Sequence, residues 1–158
     1  GIKNIYAIDR NKNNLKIAKK FGCKKTYSLE TFNKQMANSK INKDLIKYNF
    51  EISGNINMME MAIKNLSSRG TCILAGNVKN GFKVKFNPYE LIFGKHVYGF
   101  SGNDVSLDKN ILRYFDIIKT TNFTKLRKIF KIYKFHNINK AIQDFKKRKI
   151  LRPLISFQ

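Results

Sequence analysis

Few side chains in this chain are placed to do chemistry, and the first is Asp9, which closes the apolar run Asn4-Ile5-Tyr6-Ala7-Ile8. A carboxylate between a strand and a helix can accept hydrogen bonds from both hydroxyls of an adenosine ribose. Such charge-assisted contacts are worth roughly 1.5–3 kcal/mol each, and the same charge repels a 2′-phosphate. An Asp that merely caps the next helix would occupy the same place, and position alone does not choose between the two. Gly54, Gly76 and Gly102 follow other strand-like runs. A missing Cβ there lets backbone approach a flat ring or offers amides to a carboxamide; simple turn geometry explains each equally well. Cys23 and Cys72 have no second Cys or His at two- to four-residue spacing, and His96 and His136 are not at zinc-ligand spacing. Both cysteines read as small buried apolar residues of a reducing compartment. Neither a catalytic residue nor a metal ligand is named, and the phosphate-binding GxGxxG is absent.

The elements that must position these residues alternate between short β-rich runs and amphipathic helices, the pattern of an α/β protein with a parallel sheet. Residues 4–9 read as a buried strand, and 13–21 as a helix with Leu15, Ile17, Ala18 and Phe21 on one face, stopped by Gly22. A short strand is expected at 25–28 and a weak helix through Phe32 and Met36. Strand 48–52 enters the turn Ser53-Gly54-Asn55. Helix 58–66 presents Met59, Ala62, Ile63 and Leu66 and is ended by Gly70, and buried strand 71–75 closes on Gly76-Asn77. A helix at 89–93 and a strand at 96–100 lead to the turn Ser101-Gly102-Asn103-Asp104. Helix 108–119 is expected to bury Ile111, Leu112, Phe115 and Ile118. An edge strand ending at 130–135, a helix at 138–147 and a strand at 153–157 complete the chain. This level reaches part of a Rossmann-like, doubly wound domain and leaves a methyltransferase open.

At 158 residues, with 42% hydrophobic and 13% aromatic side chains, one core of ordinary domain size is expected, and no interior linker, heptad or repeat is visible. No apolar run approaches the roughly 18–20 residues that span a bilayer, and the start lacks a signal-peptide layout, so a cytoplasmic protein with no membrane contact is the expectation. Opening on Gly1 directly ahead of a strand pattern suggests a fragment. The net charge of +22 comes with abundant Asn and Ile, as AT-rich coding would give. The basic clusters Lys19-Lys20 with Lys24-Lys25, and Lys146-Lys147-Arg148-Lys149, fall at helix ends. Non-specific polyanion binding at low salt is expected whatever the cause.

A series of short strings, in order along essentially the whole chain, resembles the zinc-dependent medium-chain alcohol dehydrogenases. Residues 4–9 with Leu15-Lys16-Ile17-Ala18-Lys19-Lys20-Phe21-Gly22 resemble that family's second strand, its ribose-binding Asp and the ensuing helix. Phe50-Glu51-Ile52-Ser53-Gly54 resembles the segment beside the adenine, and Gly70 with Ile73-Leu74-Ala75-Gly76 the strand flanking the nicotinamide. Phe86-Asn87-Pro88 with Gly94-Lys95 and Gly99, then Arg113-Tyr114, Ile138-Asn139-Lys140-Ala141 and 150–154, continue the series.

The resemblance implies an NAD-binding Rossmann domain over 1–158, incomplete because its first strand, phosphate loop and helix are missing. The implied parent transfers hydride between an alcohol and its aldehyde or ketone at a zinc held by a separate catalytic domain, so the isolated chain is expected to be inactive. The cofactor-binding residues implied are Asp9 and Arg10 at the ribose, Ser53 and Gly54 beside the adenine, Ala75, Gly76, Phe100, Ser101 and Gly102 towards the nicotinamide, and Arg152 near the pyrophosphate. The family's lysine five residues beyond the ribose Asp is Asn14 here, which puts ribose affinity in doubt unless Arg10 or Lys12 substitutes. Pairing of two copies through 96–100 is a further implication.

Two other readings stand beside this one: an inactive truncated remnant, and a basic nucleic-acid-binding domain on a Rossmann-like fold. An upstream frame encoding a GxGxxG helix and a Cys-rich lobe would favour the enzyme, and a start codon before Gly1 the remnant. Topology adds an expectation. In the strand order 3-2-1-4-5-6 a chain lacking strand one leaves its neighbours either apart by two strand spacings, roughly 9.5 Å, or paired directly at about 4.8 Å, and marginal in stability.

Overall fold

The computed structural model describes residues 2–102, 107–120, 127 and 129–158. Strand β1 (Tyr6–Ile8) leads into helix α1 (Lys12–Lys20), β2 (Lys25–Tyr27) and α2 (Leu29–Ala37). A 3-10 turn at Lys43–Leu45 precedes β3 (Tyr48–Glu51), α3 (Ile56–Lys64) and β4 (Thr71–Leu74). Then come α4 (Pro88–Ile92), β5 (His96–Gly99) and α5 (Leu107–Thr120). Strand β6 (Phe130–Lys134), a 3-10 turn at Phe135–Asn137, α6 (Ile138–Lys146) and β7 (Arg152–Ser156) end the chain.

Among the described residues every strand pairing is parallel, and the ladders fall into three sheets: β1-β2, β3-β4-β5 and β6-β7. In the strand order 3-2-1-4-5-6, the first corresponds to strands 2 and 3 and the second to strands 4, 5 and 6. Among the described residues β1 ladders only with β2, and β3 only with β4. The directly paired form of β1 and β3, one of the two outcomes expected from topology, does not occur.

Two compact units result. One comprises Gly1–Leu29 with Leu107–Gln158, the other Glu30–Ser106. In the second, α3 turns Ala62 and Ile63 onto β4, where Leu66 and Cys72 complete a dry cluster flanked by Ile46, Leu74, Val84 and Val97. Burying Ile63 and Leu66 contributes about 1.5–3 kcal/mol each. In the first unit, Tyr133 on β6 and Ala141 on α6 are buried, and the Tyr133 hydroxyl donates to Asp144 Oδ2 at 2.9 Å.

Asparagine starts three of the helices. The side chains of Asn11, Asn55 and Asn87 accept from the backbone N–H of Asn13, Met58 and Tyr89, each satisfying a donor that the first turn leaves without a partner.

Several expectations need correction. The strand expected at 4–9 is three residues long, and Tyr6 at its start is exposed rather than buried. Helix α3 stops at Lys64, with Asn65 as its C-cap; Leu66 is buried just beyond it, and Gly70 instead opens the turn into β4. On α5, Ile111, Leu112, Phe115 and Ile118 are all exposed, Leu112 at 73%. Helical periodicity identifies an apolar face but not whether anything covers it, and no described element packs substantially on α5. Of the two cysteines, Cys72 is buried but Cys23 only half-buried. The expected turn residues Asn103 and Asp104 lie outside the described residues.

Candidate functional site

Asp9 stands one residue past the end of β1, its own N–H still bonded to Tyr27 O of β2 at 3.2 Å. Its carboxylate is held twice. Oδ1 accepts the Asn11 N–H at 2.7 Å, and Oδ2 accepts Asn14 Nδ2 at 2.8 Å across the first turn of α1. Asp9 therefore does orient the strand-to-helix turn, although Asn11 and not Asp9 is the N-cap. Arg10 is exposed and forms no described ion pair with it.

At the mouth of the three-stranded sheet the organising residue is Glu51, the last of β3 and buried. Its main-chain oxygen accepts from both Ala75 N and Gly76 N, at 2.8 and 2.9 Å. Its carboxylate accepts from Ser53 N at 2.8 Å and Gly54 N at 3.2 Å, and from the Ser53 hydroxyl. Two of these five hydrogen bonds tie the end of β3 to the end of β4, and the other three hold the turn that follows β3. Gly54 adopts φ +69°, and a Cβ on it would sit 2.1 Å from Asn77 O; one on Gly76 would sit 2.1 Å from Gly54 N and 2.7 Å from Glu51 Oε2. These glycines are required because two turns touch backbone to backbone. Their amides, open to a ligand on sequence grounds, are already bonded to Glu51.

The remaining residues named from sequence are more dispersed. Phe100, just past β5, donates its N–H to Leu74 O at 2.9 Å, and Ser101 and Gly102 beside it are exposed, Gly102 at φ +85° with open space where a Cβ would stand. Arg152 is exposed at the amino end of β7, with no described hydrogen bond or ion pair to Asp9. A cleft of about 700 Å³ lined by residues such as Asn33, Met36, Asn42, Met61 and Asn65 contains none of the named residues. Sequence reasoning missed the roles of Glu51 and Asn14. An acid closing a strand run rich in aromatic residues, and an amide five residues after Asp9, were the available signals.

Zinc does not fit this chain's described residues. No group of three or more His, Cys, Asp or Glu among them is placed to hold a metal, and Cys72 lies in the core with its thiol pushed up to about 11, first by burial and then by the Glu51 carboxylate. No described helix is long and apolar enough to cross a membrane.

Comparison with known proteins adds three findings. The family model described as zinc-binding dehydrogenase matches residues 1–116. The fold is similar to that of part of benzyl alcohol dehydrogenase from Acinetobacter calcoaceticus, at TM-score 0.88 and 23% identity over 100% of this chain and 44% of that one. An alcohol dehydrogenase zinc-binding domain protein from Burkholderia ambifaria is similar at TM-score 0.87 and 23% identity, over 100% of this chain and 43% of that one. The yhdH oxidoreductase from Salmonella enterica, solved in complex with NADP, is similar at TM-score 0.71 and 10% identity, over 98% of this chain and 47% of that one. The chain thus spans less than half the length of these solved relatives. No curated protein matches.

Proposed function

The chain belongs to the zinc-binding dehydrogenase family, and we propose that it is the cofactor-binding portion of an NAD-dependent, zinc-type alcohol dehydrogenase interconverting an alcohol and its aldehyde or ketone. The observation that carries the cofactor reading is Asp9, an ionisable carboxylate fixed at the carboxyl end of a parallel strand by two neutral donors. Ligands of doubly wound sheets bind outside those strand ends.

NAD fits the residues present. Asp9 would accept the adenosine ribose hydroxyls, and the turns at Gly54 and Gly76, locked together at the carboxyl ends of β3 and β4, would form the floor against which the rest of the cofactor lies. Ala75, Phe100, Ser101 and Gly102 are assigned to the nicotinamide end, Arg10 to the ribose beside Asp9, and Arg152 to the pyrophosphate. The bound nicotinamide supplies the hydride acceptor or donor; these residues bind and orient it. Zinc, the proton relay and most of the substrate pocket are assigned to a further domain of a longer parent.

Titrating the chain with NAD and NADP tests this. Binding is expected to be weak, because no GxGxxG is present to cradle the pyrophosphate, yet NAD should be favoured about tenfold or more, one hydrogen bond to a charged group being worth roughly 1.5–3 kcal/mol. D9G should bring the ratio near one. Equal affinities in the unaltered chain would remove the role given to Asp9.

A further inference from the structure

Glu51 is buried at the end of β3, and all three contacts of its carboxylate are donors: the Ser53 N–H and hydroxyl on Oε1 and the Gly54 N–H on Oε2. An acceptor-only set is the one an ionised carboxylate takes. The donors are neutral, and among the described residues no Lys or Arg forms an ion pair with Glu51. Its charge is therefore stabilised by dipoles without being cancelled. The carboxylate also lies against the end of β4, since a Cβ on Gly76 would stand 2.7 Å from Oε2. Glu51, Ala75, Gly76 and Phe100 belong to one compact unit, Glu30–Ser106.

On the reading that Ala75 and Gly76 lie towards the nicotinamide, we infer that Glu51 sets the redox-state preference of the site: its buried, uncompensated negative charge at the β3–β4 junction favours the cationic oxidised ring over the neutral reduced one. NAD+ and NADH differ at that ring by one unit of charge. A charge held in a dry interior is screened much less than one at the surface. The field of Glu51 is felt on β4 at Cys72, whose thiol is pushed up to about 11 by burial first and by this carboxylate second. A field that disfavours a thiolate within that strand favours a cation at its mouth. The bound pair is thus held towards its oxidised member.

The net charge of +22 works in the opposite sense, because NADH is the more anionic ligand. That contribution comes from Lys and Arg scattered along the chain and fades as salt is added, whereas that of Glu51 persists.

NAD+ and NADH are titrated by saturation-transfer NMR into the unaltered chain and its E51Q, E51D and E30Q variants, at low and high ionic strength, with far-UV circular dichroism recorded for each. At high salt the unaltered chain should favour NAD+ by roughly threefold to tenfold, the range for one charge acting through a partly dry protein. E51Q should bring the ratio near one. E51D, which keeps the charge, should retain the preference, and E30Q, which removes an exposed acid of the same unit, should leave it unchanged. If E51Q weakens both ligands alike, or E51D loses the preference as fully as E51Q, Glu51 is merely structural; the inference then falls while cofactor binding stands. Should E51Q unfold, the salt series on the unaltered chain decides: a ratio that levels in favour of NAD+ supports the inference, and one that levels in favour of NADH overturns it. No binding of either ligand to the unaltered chain sinks the nicotinamide reading and the inference with it.

Discussion

Cys72 has no solvent-exposed surface, and burial together with the nearby Glu51 carboxylate raises its thiol to about 11. At pH 8 it is therefore protonated and shielded, whereas Cys23 is half-buried. A disulfide reagent at that pH should modify one thiol per native chain promptly and the second only after denaturation. Two prompt thiols would mean that the packing of α3 on β4 is open. Residue by residue, the sequence disclosed groups whose chemistry is intrinsic: the carboxylate of Asp9, the missing Cβ of Gly54 and Gly76. It did not disclose groups whose role depends on what folding brings to them. Asn14 is an ordinary helical amide until the first turn of α1 swings it onto Asp9 Oδ2. Glu51 is a lone acid at the end of a short strand until two turns present their amides to it.

Elements were legible where periodicity coincided with local stop signals. Helix α1 begins at an Asn cap and is followed by Gly22 at φ +102°, and the apolar face of α3 meets Cys72 of β4 as its spacing implied. Strand β3 shows where this fails: Tyr48 and Phe50 are exposed on the face opposite Glu51, as is Ile52 just beyond the strand, because alternation tells inside from outside only if both faces have partners. The junction of β3 and β4 makes the sharpest demand on sequence. Replacing Gly76 by Ala would drive a Cβ to within 2.1 Å of Gly54 N, against backbone that cannot rotate away. We expect G76A to destabilise the chain by about 2–3 kcal/mol in a denaturant titration, whereas Ala at Gly81, where a Cβ meets nothing within 4 Å, should cost less despite its positive φ. Equal losses would show that the two turns do not interlock.

For the whole molecule, charge is less evenly spread than the scatter of lysines along the chain suggests. The unit containing Asp9 holds 22 of the 32 basic and 4 of the 10 acidic residues, a net +18, and the other unit the remaining +4. A dinucleotide, itself an anion, is drawn to such a unit whatever its 2′ substituent, and salt weakens that attraction. On the reading proposed above, selectivity comes from Asp9 and not from the field. The fold class and the order of the parallel pairs were legible because strands and helices alternate; the division into two units was not, since the first is made of distant stretches, Gly1–Leu29 and Leu107–Gln158, that only folding assembles. The central claim is that this chain receives a nicotinamide cofactor at its strand ends. It is tested most directly by nitrogen–proton correlation spectra of the 158-residue chain titrated with NADH. The amide signals of Asp9, Arg10 and Asn14 should move with NADH and with AMP alike, and those of Gly76 and Gly102 with NADH only. Shifts confined to other residues, or spectra unchanged at millimolar NADH, would contradict it.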